Sequence, residues 1–307
     1  MILVYTIILN YNNFKDTQEC VESILRQKDD SNIINKMIIV DNASPDDSGK
    51  KLKELYAEDL VYIQLDKNIG YAAGNNVGIK YALSQNADFI CILNNDTVVE
   101  TDFISECVDY YSSHKSIGFL SPTIEEYGSN VVQSTGGDIF WKKGEVTVKN
   151  NGKDRKTLPK EIESDYLGGA CLFFHNSLIE QIGYIPECYF LFFEETEWCW
   201  RAKKIGLHNI CLSNCYIKHK GSASINSIIG LHSYLMERNR IVFLKRNSPN
   251  RLMYYEATAY LTMKYLKRAI LVDKNYFKYF KYMDDGRKNI VDLKSYPFIV
   301  IRNDVER

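Results

Sequence analysis

Along the first hundred positions, short runs of consecutive apolar residues alternate with segments whose apolar residues recur at helical spacing. Ile2–Leu9, Met37–Val40, Val61–Leu65 and Phe89–Leu93 predict strands. Val21, Ile24 and Leu25, and then Leu52 and Leu55 behind a Ser48 cap, predict helices between them. Strand and helix in alternation are the sequence form of an α/β fold, a parallel sheet with helices packed on it. Beyond about residue 226 the texture turns helical, with Tyr254, Tyr255, Tyr260, Tyr265, Tyr276, Phe277, Tyr279, Phe280 and Tyr282 set among Lys264, Lys267, Arg268, Lys274, Lys278 and Lys281.

The 307 residues, 45% of them hydrophobic, suffice for one large domain or two intimate halves. A formal net charge of -1 and the lack of a nucleic-acid motif argue against a nucleic-acid partner. The eight cysteines lie in apolar segments without paired metal spacing and read as reduced core thiols of a cytosolic protein. Met1–Leu9 lacks a basic leader and a cleavage site, and no apolar run reaches membrane-spanning length. The expected location is cytoplasmic, either free or peripheral at the inner face of the plasma membrane.

Polar residues follow each strand: Asn10-Tyr11-Asn12-Asn13, Asp41-Asn42-Ala43-Ser44, Asp66 to Gly70, and Asn94-Asn95-Asp96. Ligands of open α/β sheets bind beyond the carboxyl ends of the strands, so these tips define one candidate site, although the same residue types also build ordinary turns. Asn68 to Gly78 supplies glycines at 70, 74 and 78 ahead of a helix, suited to a phosphate-contacting turn or simply to close helix–sheet packing. Their spacing is not that of a dinucleotide fingerprint, which disfavours a nicotinamide enzyme. Asn94 and Asp96 at a strand tip can hold a hard divalent cation or cap a helix starting near Thr101.

Phe190-Leu-Phe-Phe-Glu-Glu-Thr-Glu-Trp-Cys-Trp-Arg201 brings Glu194, Glu195 and Glu197 into apolar company. Crowded, poorly hydrated carboxylates repel one another, which raises a pKa toward the range of a general base. The other reading is an ion network in which Arg201, four residues after Glu197, neutralises the cluster.

These segments, with Gly168 to Phe174, His219-Lys-Gly-Ser222 and Arg238-Asn-Arg240, occur in an order that resembles family 2 glycosyltransferases, over roughly residues 1 to 246. The bacterial rhamnosyltransferase-like branch is the most similar. The resemblance implies an A-type glycosyltransferase fold and an inverting transfer from a nucleotide-diphosphate sugar with Mg²⁺ or Mn²⁺. Its halves would be 1–100 for the nucleotide sugar and 101–226 for the acceptor and catalysis, with a helical extension at 227–307.

Carried over by residue, Asp41 resembles the acid that reads the nucleobase. Asn68 to Asn76, including Gly70, Gly74 and Asn75, resembles the loop bordering nucleotide and sugar. Asn10, Tyr11 and Asn95 join them at the strand tips. Asp96 looks like the last member of the metal-binding D-x-D element, with Asn94 as its first, and His219 like the distal metal ligand. Arg238 or Arg240 is a candidate diphosphate contact. The family's Glu-Asp-x-Asp is Glu194-Glu-Thr-Glu197 here, which makes Glu195 the first candidate base and Glu194 the second. Gly169, Glu197, Trp198 and Arg201 are candidate acceptor or structural supports.

The resemblance implies a glycan or lipid-linked acceptor in surface polysaccharide synthesis. It suggests dTDP-rhamnose as donor, with UDP-hexose or UDP-galactofuranose as rivals. A catalytically silent subunit that binds nucleotide or a partner is the alternative, favoured by the glutamates alone. In the helical extension, Tyr276 to Lys288 reads as a face for an anionic membrane, and Tyr254 to Leu271 as a packing or homodimer surface.

Overall fold

The computed structural model describes residues 1–28, 30–221 and 230–290. Strands β1 (Ile2–Asn10), β2 (Ile33–Asp41), β3 (Val61–Gln64) and β4 (Phe89–Asn94) form at the apolar runs and pair in parallel in the order β3-β2-β1-β4. Tyr5 and Ile7 of β1 join Ile38, Ile90 and Ile92 in the core on one face of the sheet, while Val4 and Ile8 join Ile39 and Cys91 on the other. Burial on both faces is why these strands read as unbroken apolar runs. Helices α1 (Phe14–Leu25) and α2 (Ser48–Leu55) cover one face and α3 (Tyr71–Ser84) the other. The N-cap of α2 is Asp47; the Ser48 hydroxyl instead accepts a hydrogen bond from Asn10 Nδ2.

The sheet continues through the second half of the chain. After β5 (Thr97–Val99) comes α4 (Phe103–Ser113), then β6 (Ile117–Glu126), β7 (Val132–Ser134), the hairpin of β8 (Ile139–Phe140) and β9 (Glu145–Val146), and β10 (Glu161–Ser164). Next come β11 (Cys171–His175), α5 (Ser177–Ile182), α6 (Glu194–Lys204) and β12 (His208–His219). The ten-stranded sheet runs β10-β12-β6-β11-β4-β1-β2-β3, with β5 on β12 and β7 on β6. Two register features place the site. β11 is antiparallel to β4, so the chain just before it arrives where β4 ends, and Asn94 N donates to Ala170 O at 2.9 Å. The end of β12 pairs with β5, setting His219 opposite Thr97.

The extension is helical, as expected, and comprises α7 (Leu231–Asn247), α8 (Arg251–Leu271) and α9 (Lys278–Lys288). α8 is capped by Asn250, whose side chain accepts from Met253 N at 2.9 Å. Leu231, Tyr234 and Leu235 of α7 and Tyr282 of α9 pack against Phe190, Leu191 and Phe192. Ser222 and the 226/227 boundary lie outside the described residues. All eight cysteines are free thiols, seven of them buried. Among the described residues no helix is long and apolar enough to cross a membrane.

Candidate active site

The strand register lines up the polar tips on one edge: Asn94 lies opposite Leu9, Asn10 opposite Asp41, and Asp41 opposite Gln64. A cavity of about 180 Å³ opens there. Tyr11, Asn68, Gly70, Asn94, Asn95 and Asp96, all singled out from the sequence, line it. So do Asn42 and Tyr71, which lie within the segments singled out, and Leu9, Phe190 and Leu191, to which the sequence reading gave no part in the cavity. Asn42 holds the loop opposite by donating to Asn68 Oδ1 at 3.0 Å and accepting from Ile69 N at 3.0 Å.

At the β4 end, His219 Nε2 stands 3.2 Å from Asp96 Oδ1. The other ring nitrogen, Nδ1, is 2.6 Å from Gln133 Oε1, a pure acceptor, so the ring proton sits on Nδ1 and Nε2 presents a lone pair. Nε2 is buried without a hydrogen-bond partner among the described residues. Two lone pairs facing each other at this distance are satisfied by a shared proton or by a cation, and imidazole with carboxylate is a donor set that fits Mn²⁺ or Mg²⁺. No group of three His, Cys, Asp or Glu side chains converges among the described residues, so this pair leaves most of a cation's coordination positions to other oxygens. Gln133, which fixes the tautomer, carries no sequence signal of its own.

The second half of the site is the first turn of α6. Glu197 is buried and accepts from Arg201, Arg246, Asn247 and Tyr189. Burial pushes its pKa up, but these hydrogen bonds overcome it and hold the carboxyl at about 2. The ion network anticipated through Arg201 therefore exists, and it spends Arg201 on Glu197, leaving Glu194 and Glu195 without a cation. Glu194 is buried, its Oε2 has no partner, and burial followed by the charge of Glu195 drives its pKa well upward. Glu195 is half-buried, and burial raises it to about 7. A Cβ at Gly169 would lie 3.6 Å from Glu195 Cγ and 3.7 Å from the Tyr71 hydroxyl, which itself donates to Gly169 O at 2.7 Å. Tyr71 thus links the glutamate pair to the cavity.

The segment between cavity and glutamates is strained. Phe190, Phe192 and Phe193 all have left-handed φ, at 70°, 71° and 75°, which costs about 1–2 kcal/mol per residue. The strain is held by partners from both sides. Phe190 O accepts from Tyr71 N at 2.9 Å, and buried Asn239 of α7 donates from Nδ2 to the carbonyls of Tyr189, Leu191 and Phe192 at 3.1, 2.7 and 2.9 Å.

The sequence pattern of Glycosyl transferase family 2 matches residues 5–183, over half of the chain. The chain belongs to this family. It is 30% identical over 217 residues to the low-salt glycan biosynthesis hexosyltransferase Agl10 of Haloferax volcanii, covering 69% of this chain and 64% of that protein. It is 21% identical over 291 residues to the dTDP-rhamnosyl transferase RfbF of Shigella flexneri, covering 91% of this chain and 92% of that one. The crystal structure of GalNAc-T7 with UDP, GalNAc and Mn²⁺ superposes with a TM-score of 0.61 at 11% identity, covering 78% of this chain and 51% of that one. The chain thus spans less than two thirds of the hexosyltransferase and about half of GalNAc-T7. The A-type glycosyltransferase fold expected from the motifs is the fold found.

Several positions that the family resemblance singled out stand behind the cavity rather than in it. Asp41 is buried, and each carboxylate oxygen already accepts twice: Oδ1 from Ser44 N and Gln64 Nε2, Oδ2 from Asn10 Nδ2 and Ser44 Oγ. Asn10 is its buried neighbour. The amides of Ile69, Gly70 and Tyr71 are taken by Asn42, Asn68 and Phe190, so these three are not offered to a phosphate. Gly74 is a packing glycine, since a Cβ there would meet Leu9 Cδ1 at 2.5 Å, and buried Asn75 donates to Tyr71 O. Arg238 does not face a diphosphate. It is fully buried, donating to the carbonyls of Cys188 and Ile290 and to the side-chain oxygens of Asn239 and Asn289. Arg240 is spent on Gly144 O and Glu237. Trp198 is core, its indole donating to Gly183 O at 2.9 Å.

Proposed function

We propose that this chain is an inverting glycosyltransferase that moves a sugar from a nucleotide diphosphate to a hydroxyl of a glycan or lipid-linked acceptor in surface polysaccharide synthesis. The observation that carries the reading is the meeting of two chemistries at one cavity: the facing His219 Nε2 and Asp96 Oδ1 at the sheet edge, and, joined to that cavity through Tyr71, the Glu195 carboxylate that burial raises to about 7. In this reading residues 1–100 take the nucleotide sugar, 101–226 the acceptor and the catalytic chemistry, and 227–307 form a C-terminal extension.

Asp96 and His219 would hold Mn²⁺ or Mg²⁺, with Asn94 beside them, and the cation would supply positive charge to the departing diphosphate. The chain's own residues do the rest. Glu195 receives the proton of the acceptor hydroxyl, a poor nucleophile at neutral pH, and its partial exposure makes it more accessible to that hydroxyl than the buried Glu194. Tyr71, Phe190 and Leu191 narrow the cavity and exclude water from the reacting end. The base and the leaving group on opposite sides of the sugar give a single displacement with inversion. dTDP-rhamnose is the favoured donor, supported by the relationship to the Shigella rhamnosyl transferase. UDP-hexose and UDP-galactofuranose remain its rivals.

Release of nucleotide diphosphate from a panel of dTDP- and UDP-sugars, with and without Mn²⁺, tests the reading. Turnover of one donor that needs the cation and is accelerated by acceptor is expected. Nucleotide binding without turnover of any donor, with a competent acceptor present, would favour the silent subunit instead.

A further inference from the structure

Helix α8 is apolar on two opposite faces. Ala257, Leu261, Tyr265 and Ala269, at steps of four, pack inward. Leu252, Tyr255, Met263, Leu266 and Ile270 form the other face, and all are exposed. One apolar face docks a helix on the fold, and a second one left exposed marks a surface for another partner. The outer face culminates at the C-terminal end of α8, where Ile270, Leu271 and Val272 stand in sequence at 68%, 68% and 73% exposure, joined by Phe277 at 51%.

The charges around this tip indicate its partner. Lys267, Arg268, Lys274 and Lys278 flank it, against one acid, Asp273, whose carboxylate already accepts from Asn275. A second copy of the chain is a poor occupant, because in a two-fold contact the patch meets itself and four cations would face four cations. A nucleic acid is poorer still, since the tip offers aliphatic side chains and not a stacking platform. Aliphatic residues ringed by lysine and arginine match a bilayer with anionic headgroups, where the apolar group enters the acyl boundary and the cations meet the phosphates.

We propose that the end of α8 and the turn after it, Leu266 to Lys278, dock this protein on an anionic membrane surface. This goes beyond the sugar-transfer reading and does not depend on it. It also moves the membrane face from where the sequence suggested it: in Tyr276 to Lys288, Tyr282 and Met283 are buried, and Tyr276, Tyr279 and Phe280 pack inward, so most of that segment's aromatic surface is spent on the fold.

The test is co-sedimentation of the full chain with vesicles of phosphatidylcholine alone and of phosphatidylcholine with an equal part of phosphatidylglycerol. Binding to the anionic vesicles only, weakened in about 0.5 M salt, is expected. The double variant Leu271→Glu, Val272→Glu should abolish it. Lys267→Ala, Lys274→Ala and Lys278→Ala together should weaken it by about 10²-fold. All these side chains are exposed, so circular dichroism and nucleotide binding should match wild type. No binding by wild type, or binding unchanged by both sets of substitutions, would overturn the proposal. Concentration-dependent dimers lost in Leu271→Glu, Val272→Glu would give the face to a second copy and overturn it equally.

Discussion

His219 Nε2 faces Asp96 Oδ1 across 3.2 Å with the ring proton held on the far side by Gln133. The two atoms come together because β12 ends in antiparallel pairing with β5, immediately after the tip of β4. Asp96→Asn and His219→Ala are each expected to leave metal-free nucleotide affinity near wild type and to remove the increment that Mn²⁺ adds. Gln133→Leu should reduce that increment about 10-fold or more by freeing the ring to rotate. Calorimetric titration with UDP and dTDP, with and without Mn²⁺, separates the effects; an increment that survives both ligand substitutions would place the cation elsewhere.

The glutamate pair predicts a pH dependence. Burial lifts Glu195 to about 7, and burial with the charge of Glu195 lifts Glu194 well above the ordinary carboxylate range, so the base gains its charge only as pH rises through neutrality. Transfer at low substrate concentration should climb with pH to a plateau, with an apparent pKa near 7 that belongs to the coupled pair. Glu195→Gln should lower turnover by about 10²- to 10⁴-fold while nucleotide affinity stays close to wild type. A flat profile between pH 5.5 and pH 8.5, in steps of about half a unit, would count against a carboxylate base.

Glu197 is shifted the opposite way and predicts a pH dependence of stability rather than of turnover. Its folded pKa of about 2 lies below the unfolded value near 4.3, so its contribution to stability is complete above about pH 5 and is lost as pH falls toward 2. Glu197→Gln takes the counter-charge from the partly exposed Arg246 and Arg201 and should destabilise by about 1–3 kcal/mol at neutral pH. In urea unfolding, the gap to wild type should begin to close below about pH 4.5. A gap independent of pH would mean that packing, not charge, sets the cost.

Asn239 is expected to control the site from behind. Asn239→Asp has the same shape, but it replaces the amide donor by an oxygen aimed at three carbonyls. It should therefore be more damaging than Asn239→Ala. Both should cut turnover by roughly 10²-fold, the scale of a displacement near 1 Å at the reacting groups. Single-turnover kinetics beside circular dichroism distinguishes this from unfolding, and equal activity of both variants with wild type would dismiss the role.

Strands β1, β2 and β4 were legible because their apolar stretches are buried on both faces and so wrote uninterrupted runs, and β3 at the sheet edge because its Val61, Tyr62 and Ile63 are partly buried against the same two cores. Asp96, His219 and Glu195 were legible through motifs, and the structure brings Asp96 and His219 together, with Glu195 joined to the cavity through Tyr71. Arg238 was misread because a buried arginine bonded to carbonyls and amide oxygens looks the same in sequence as one that awaits a phosphate. The glycine loop was ambiguous for a related reason: Gly74 answers to Leu9, a packing partner distant in sequence. Asn239 and Gln133 were invisible as site residues, since their importance lies in which remote carbonyl or ring nitrogen they meet. The left-handed phenylalanines could not be foreseen either, because only tertiary partners make that backbone tolerable.

The three bonds from Asn239 also bear on how the protein is made. The strap they hold begins 50 residues earlier in the chain, so translation delivers the sheet and the Asp96–His219 pair before the helix that fixes one cavity wall. Ribosome-arrested chains in which residue 226 has just emerged from the exit tunnel are accordingly expected to retain no labelled nucleotide sugar, whereas released chains should. On that outcome a half-made polypeptide would hold no activated sugar, and its hydrolysis without an acceptor would be avoided by the timing of synthesis itself.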